Sequence, residues 1–247
     1  METPESFWSQ PDLVASYSRP GGALDYERDA VEDAVARARR TGPVRTVHVL
    51  GIGAGRELPA IRELVGSAKI VGWDISAPMV EACRSLVERE GIDDVELHQG
   101  DLLDVARVGD EPADVLIALG AVLGYLTDPP DREAATDALR RLARTGAGLA
   151  AVVQQRAGRP DWATWFALRS VAQVITRRGP GHGNRRSWHA DQSTRFHHYT
   201  RRELAQLTAR HSFTDVEIRS LRQWARGRSD RLPLRSPNPL ILNATAS

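Results

Sequence analysis

Two patterns of apolar residues alternate along the first 155 positions of the chain. Short runs rich in Val, Ile and Leu predict strands, and between them apolar residues recur every three or four positions, which predicts helices. The predicted strands are residues 44–50, 69–74, 95–101, 113–123 and 148–155, and the predicted helices are residues 23–40, 57–65, 76–90 and 131–144. Gly146 and Gly148 are interpreted as ending the last of these helices.

This alternation indicates the fold class. Strands that alternate with helices at such spacing form a mostly parallel sheet with right-handed crossovers and helices on both faces. The run 113–123 is apolar almost throughout, which is typical of a central strand buried on both faces. We therefore predict an α/β protein with a doubly wound, mostly parallel sheet.

The alternation is interrupted after residue 155. Residues 162–175 have helical spacing, and residues 177–195 are rich in glycine, arginine and histidine, so we predict an inserted cap with a mobile loop. The pattern resumes with a T-x-x-E capping box that begins at Thr200 and a helix through Arg210. Two further strands, 213–220 and 239–244, bring the predicted sheet to seven strands. The expected units are an N-terminal helical segment (1–43), a core (44–155), the inserted cap (156–196) and the C-terminal part of the core sheet (197–247).

Length and composition indicate one folded body. Of 247 residues, 41% are hydrophobic and 26% are charged, which excludes a mainly disordered or fibrous chain. The single cysteine, Cys83, cannot pair within the chain, which predicts a reducing compartment and so a cytoplasmic location. No signal peptide is recognisable, and the longest apolar run, 115–126, is too short to span a bilayer. We expect no membrane association.

Charge is divided unevenly between two parts of the chain. Residues 1–155 carry 16 basic and 26 acidic side chains, whereas residues 156–235 carry 17 and 6. The basic part leaves open an anionic partner, or mutual attraction between the halves of one molecule or of a homo-oligomer. Scattered arginines and the absence of a lysine-rich tract argue against nucleic acid as that partner.

A glycine-rich turn follows the first predicted strand. The sequence GIGAG at 51–55 lies between a strand and a helix, where bare backbone lets a ligand approach the carboxyl edge of the sheet. Arg56 stands where the dinucleotide fingerprint G-x-G-x-x-G requires its third glycine, which argues against a nicotinamide or flavin. Asp74 and Asp101 end the next two predicted strands and can accept hydrogen bonds from ribose hydroxyls and an adenine amino group. The alternative is that the glycines form only a tight turn and the aspartates only helix caps.

Five segments carry a resemblance to a known family. They are VHVLGIGAGRE, VGWDISAPMVEACR, HQGDLLD, ADVLIALGAVLGYL and HHYTRRELAQLTARHSFTDVEI. The chain resembles the class I, Rossmann-like S-adenosylmethionine-dependent methyltransferases from about residue 44 to its C-terminus. The resemblance implies that the last strand is antiparallel and that S-adenosylmethionine lies across the carboxyl ends of the first four strands.

The resemblance also implies a set of cofactor contacts. Gly51 and Gly53, with Leu50 and Ile52 beside them, would face the methionine part. The other implied contacts are Asp74 to the ribose, Ile75 and Met79 to the adenine face, Asp101 and Leu102 to the adenine edge, and Leu119 closing the methionine side. Two positions depart from the family pattern: Val49 stands where an acidic residue is usual, and the tripeptide at 211–213 is HSF rather than AGF.

The chemistry of methyl transfer narrows the catalytic candidates. Displacement from a sulfonium needs mainly positioning and desolvation, and no metal is expected. An amine acceptor need only be neutral, whereas a hydroxyl acceptor benefits from a base, for which histidine is the usual choice. The histidines considered are His182, His189, His197 and His198, of which His197 and His198 are our catalytic candidates because they precede the capping box. Their alternative role is to seat the following helix.

Aromatic residues suggest where the ligands enter. Tyr17 and Tyr125 are placed to contact the sulfonium by cation–π attraction or simply to pack the entrance. The cap contains Trp162, Trp165, Phe166 and Trp188, which form either an acceptor pocket or an ordinary helical face. We therefore predict a methyltransferase that acts on oxygen or nitrogen of a small molecule, as in secondary metabolism. The alternatives are an RNA or protein methyltransferase, or a protein that binds S-adenosylmethionine without transferring its methyl group.

Overall fold

The computed structural model describes residues 3–19, 21–105, 111–176, 183–189, 192–226 and 238–247. The helices are α1 (Pro4–Trp8), α2 (Pro11–Tyr17), α3 (Asp25–Arg39), α4 (Leu58–Val65), α5 (Ala77–Glu90), α6 (Pro129–Leu142), α7 (Pro160–Thr176), α8 (Arg201–Arg210) and α9 (Leu221–Ala225), with a 3₁₀ turn at Val122–Tyr125. The strands are β1 (Thr46–Leu50), β2 (Lys69–Asp74), β3 (Val95–Gln99), β4 (Ala113–Ala118), β5 (Ala143–Val153), β6 (Asn184–His189), β7 (Gln192–His197), β8 (Phe213–Ser220) and β9 (Leu240–Ala246). None of the described helices is both long and apolar enough to cross a bilayer.

Seven strands form one sheet in the order β3-β2-β1-β4-β5-β9-β8. The first five run parallel, whereas β9 is antiparallel to both β5 and β8. The strand order reverses between β1 and β4, and at such a switch point the loops that leave the strands diverge and open a crevice. The predicted fold class and the antiparallel last strand are confirmed.

Helices cover both faces of this sheet and produce two hydrophobic cores. On one face α3, α4 and α5 pack through residues such as Ala34, Ile61 and Cys83. On the other face α6 and α8 pack through residues such as Leu139 and Leu204. Neighbouring residues of β4 alternate between the two cores, because successive strand side chains point to opposite faces. Cys83 is fully buried, and burial raises the pKa of its thiol to about 12.

Two expectations about where elements end, one for a helix and one for a strand, are wrong. Gly146 and Gly148 do not end α6: that helix ends at Leu142 and β5 runs directly through both glycines. Gly148 is needed for packing, since a Cβ there would lie 2.0 Å from the carbonyl oxygen of Ala34 in α3. The fourth strand ends at Ala118 and not at residue 123, because Gly120 and Ala121 adopt positive φ and turn the chain into the 3₁₀ helix.

The cap region contains more regular structure than its composition indicates. α7 confirms the predicted helix, but β6 and β7 pair as an antiparallel hairpin where a mobile loop was expected. Phe196 on β7 contacts the ring of Tyr125, with centroids 4.9 Å apart, and lies over Gly124, where any Cβ would collide with the Phe196 ring. Tertiary contacts of this kind hold the hairpin against the core. The predicted candidate His182 falls outside the described residues.

Candidate functional site

A cavity of about 870 Å³ opens at the carboxyl ends of the parallel strands, in the crevice created by the strand-order reversal. Its walls come from the turns after β1, β2, β3 and β4, from the end of β5, and from the N-terminal segment 4–27. All of the predicted cofactor contacts line this cavity: Tyr17, Leu50, Gly51, Ile52, Gly53, Asp74, Ile75, Met79, Asp101, Leu102 and Leu119. The structure therefore brings together the residues that the motifs singled out, although their binding role stays a prediction.

The glycine turn forms the floor of the cavity. Gly51 and Gly53 have φ of +67° and +55°, a region that residues with a side chain seldom adopt. A Cβ on Gly51 would lie 2.6 Å from Cγ2 of Val122, so the turns after β1 and β4 pack directly against each other. A Cβ on Gly53 would meet no atom within 4 Å, and because Gly53 lines the cavity this open space is available to a ligand.

Asp74 connects this turn to the end of β2. Its Oδ2 accepts a hydrogen bond from the Gly53 amide at 2.8 Å, and its Oδ1 accepts one from the Ser76 amide at 2.9 Å. Burial raises the pKa of Asp74, and these amide hydrogen bonds oppose that shift. The carboxylate thus shapes the turn while keeping lone pairs for a ligand. Asp101 has a similar local role, since its Oδ1 accepts from the Leu103 amide at 2.9 Å.

An aromatic wall closes the cavity from the N-terminal side. The ring of Trp8 lies edge-on to Tyr17 and Tyr125, with centroid distances of 5.1 and 5.8 Å. Ser76, the N-cap of α5, holds this segment in place, because its hydroxyl donates to the Trp8 carbonyl at 3.2 Å and lies 3.1 Å from the Ser9 hydroxyl. The wall therefore combines residues that are more than 100 positions apart in the chain.

An ionic cluster at the same end of the cavity was not identified from the sequence. Arg56 lies between the carboxylates of Glu27 on α3 and Glu57 before α4, and all three residues line the cavity. In the sequence, Arg56 was noted only because it stands where the dinucleotide fingerprint has its third glycine. The signal that could have identified the cluster is the acidic first turn of a helix that precedes a glycine-rich turn, but nothing in the sequence indicates that the two meet.

His197 is placed away from the cavity. It is fully buried, its Nδ1 lies 2.7 Å from Oδ1 of Asn184, and its Nε2 lies 2.8 Å from Oε1 of Glu203. Glu203 belongs to the confirmed capping box of α8 and also pairs with Arg156 at 2.9 Å. Both ring nitrogens are engaged in a network that joins the hairpin to the core, so the geometry favours the alternative role of seating the helix.

His198 also lies outside the cavity lining. Its ring is surrounded by Trp162, Phe166 and Phe196, and its Nδ1 is buried without a hydrogen-bond partner among the described residues. Burial lowers the pKa of His198 to about 4, and the neighbouring Arg185 adds to this shift. Trp162 and Phe166 thus pack around a histidine rather than around the cavity. Among the residues between 156 and 226 whose side chains the structure describes, none lines the cavity, which is covered instead by the N-terminal segment.

No group of three or more His, Cys, Asp or Glu side chains in the described part of the chain is arranged to hold a metal ion. The described cavity lining presents backbone amides, carboxylates, guanidinium groups and aromatic rings. This combination suits an organic ligand that carries hydroxyl, amino and apolar groups.

Comparison with known proteins agrees with this geometry. Residues 47–146 match a protein family described as a methyltransferase domain. The chain contains a methyltransferase domain. The matched part of the methyltransferase domain runs from β1 into β5 and includes the glycine turn, Asp74 and Asp101. Together with the sheet topology, the match confirms the predicted resemblance to class I S-adenosylmethionine-dependent methyltransferases.

Solved structures share the fold over most of the chain. The CcbJ methyltransferase from Streptomyces caelestis has a TM-score of 0.63 at 16% identity, over 98% of this chain and 98% of that one. The magnesium protoporphyrin IX methyltransferase from Synechocystis PCC 6803, with bound SAH, has a TM-score of 0.59 at 19% identity, over 98% and 97%. A SAM-dependent methyltransferase from Methanosarcina mazei has a TM-score of 0.60 at 15% identity, over 83% and 93%. The search of curated proteins finds no match.

Proposed function

We propose that this protein transfers a methyl group from S-adenosylmethionine to a small molecule. The observation that carries the proposal is that the glycine turn, Asp74 and Asp101 all line one cavity and all lie within the residues that match a methyltransferase domain. The solved structure with bound SAH has a small-molecule acceptor in its name, magnesium protoporphyrin IX, which supports the same class of acceptor here.

The described residues fit the proposed donor in shape and chemistry. The open space over Gly53 admits a ligand close to the backbone, and Asp74 and Asp101 offer acceptors for the hydroxyl and amino groups of adenosine. Met79 and Leu102 provide apolar surface for a purine between these carboxylates. Binding through these residues is a proposal.

The donor supplies a methyl group already activated on a sulfonium. The chain's own contribution is to orient the two reactants and exclude water. Trp8, Tyr17 and Tyr125 would do so by covering the cavity, and their ring faces can contact a cation. Burial raises the pKa of Tyr125, so its hydroxyl stays protonated and can donate a hydrogen bond.

The described lining contains no histidine to act as a base, which favours an amine acceptor over a hydroxyl acceptor. The described lining includes five carboxylates, from Glu27, Glu57, Asp74, Asp101 and Asp131, and two guanidinium groups, from Arg19 and Arg56. No histidine is among these residues, and an amine needs no strong base once it binds in its neutral form. The basic half of the sequence suggested an anionic acceptor, but no residue of 156–226 with a described side chain lines the cavity.

Product formation tests this function. The protein is incubated with S-adenosylmethionine and matched amine, phenol and carboxylate acceptors, and formation of S-adenosylhomocysteine is measured. We expect turnover with a subset of amines. Binding of the donor without turnover on any small molecule would instead favour a non-transferring protein or an RNA or protein acceptor, and RNA would be recognised by steep salt dependence.

We retain two further expectations as proposals. A cytoplasmic location rests on the use of a single cysteine, which is buried in the structure. Homo-oligomer formation rests on the opposite charges of the two parts of the chain. Sedimentation at low and high salt would test the second, because an assembly held by these charges should dissociate as salt is raised.

A further inference from the structure

The cavity has an uncharged residue where the family usually has an acid. Val49 lines the cavity near the end of β1 and is 5% exposed, so it offers only methyl groups to a ligand. The methionine part of S-adenosylmethionine ends in an α-ammonium and an α-carboxylate, which need charged partners when they leave water. Some other group in this chain must therefore recognise that end.

Glu27, Arg56 and Glu57 form a charged cluster on the cavity wall. Arg56 Nη2 donates to Oε2 and Oε1 of Glu27 at 2.9 and 3.2 Å and also to Oε1 of Glu57. Two carboxylates thus share one guanidinium, which leaves an excess of one negative charge. The side chain of Glu27 is only 3% exposed and burial raises its pKa, so its charge depends on cationic partners, of which it shares Arg56 with Glu57.

We propose that this cluster binds the amino-acid end of S-adenosylmethionine, with Glu27 and Glu57 accepting hydrogen bonds from the α-ammonium and Arg56 donating to the α-carboxylate. The inference rests on the proposed function and extends it to residues outside the glycine turn. Glu27 lies in the first turn of α3, so the N-terminal segment would supply the charge that β1 lacks.

The same residue also has a structural role that the test must separate. Glu27 Oε2 accepts from the Leu24 amide at 2.9 Å and so caps the N-terminus of α3. Glu27→Gln keeps an oxygen for this amide while removing the charge. A loss of binding caused by disturbance of α3 would affect every ligand of the cavity, whereas a loss of ammonium recognition affects only ligands that carry the amino acid.

The experiment compares three ligands by calorimetry: S-adenosylmethionine, S-adenosylhomocysteine and 5′-methylthioadenosine, which lacks the amino-acid end. We expect Glu27→Gln to weaken binding of the first two by at least tenfold and to change binding of 5′-methylthioadenosine by less than twofold. Arg56→Gln should show the same selectivity. Glu63→Gln is the matched control, because Glu63 on α4 pairs with Arg28 on α3 at 2.7 Å but lies outside the described cavity lining.

Each other outcome has a definite meaning. Equal weakening of all three ligands, or no weakening of any, overturns the inference. A wild-type protein that binds 5′-methylthioadenosine as tightly as S-adenosylhomocysteine also overturns it while leaving the proposed function intact. A wild-type protein that binds none of the three contradicts the proposed function itself. If Glu27→Gln does not fold, Glu57→Gln, which leaves the Leu24 amide untouched, is judged by the same selectivity.

Discussion

Alanine at Gly51 and alanine at Gly53 should impair this protein in different ways. Both glycines have positive φ, so each substitution carries a backbone cost of about 1–2 kcal/mol, partly offset by a less flexible unfolded chain. Only at Gly51 would the new Cβ collide, at 2.6 and 2.8 Å from Cγ2 and Cβ of Val122, where carbon atoms prefer about 3.5–4.0 Å.

This difference sets the expected magnitudes. Overpacking of this kind costs about 1–3 kcal/mol, so Gly51→Ala should lower the free energy of unfolding by about 2–4 kcal/mol in total. Gly53→Ala should lower it by about 1 kcal/mol, because its Cβ enters open space. That space belongs to the cavity, so Gly53→Ala should weaken S-adenosylmethionine binding at least tenfold, by about 1.4 kcal/mol or more.

Urea unfolding followed by circular dichroism, with calorimetry for the ligand, measures both quantities. Val122→Gly supplies the control because it removes both colliding atoms, Cβ and Cγ2. In that background Gly51→Ala should cost only the backbone term of about 1 kcal/mol. The reasoning is refuted if Gly51→Ala costs the same with and without Val122, or if Gly53→Ala is the more destabilising of the two.

Three further predictions concern side chains around and beside the cavity. Asp74→Asn should weaken S-adenosylmethionine binding by about 10–100-fold and lower the free energy of unfolding by about 1–3 kcal/mol, because the new side-chain NH₂ then faces the backbone N–H of Gly53 or of Ser76. Unchanged affinity by calorimetry would reject the ribose contact. His198 has a folded-state pKa of about 4, below its unfolded value near 6.5, so its contribution to stability is complete above pH 6.5 and is lost as pH falls. Between pH 7.5 and pH 5.0 the wild-type protein should therefore lose about 2 kcal/mol more unfolding free energy than His198→Phe, as measured by urea unfolding. The variant should retain methyl transfer, and loss of turnover in a folded variant would restore the histidine as a catalytic base. Gln154→Leu should raise the KM for the acceptor and leave the Kd for the donor unchanged, because Gln154 Oε1 lies buried at the cavity without a hydrogen-bond partner among the described residues. Equal changes in KM and Kd would contradict a role in acceptor binding.

The sequence alone determined the parts of this protein that depend on neighbours in the chain. Periodicity located the strands of the sheet, with the bounds of β2 and β8 correct to the residue. The glycine turn and the acids after β2 and β3 were identifiable because strand-end chemistry is local, and parallel strands bring their carboxyl ends to one edge. Those rules were sufficient to place the glycine turn, Asp74 and Asp101 on the cavity, whereas the other predicted cofactor contacts depended on the family resemblance or, for Tyr17, on its aromatic ring.

Tertiary structure alone decided what covers and charges that cavity. Glu27 and Arg56 lie 29 positions apart, and Ser9 reaches Ser76 across 67. No periodicity relates such pairs, because they meet only when whole helices dock on the sheet. The same holds for His197 and His198: they precede the capping box of α8 in the sequence, yet side-chain packing with Glu203 and Phe166 places both outside the cavity lining. Local sequence determines which elements form, and the packing of distant elements determines which side chains face the ligand.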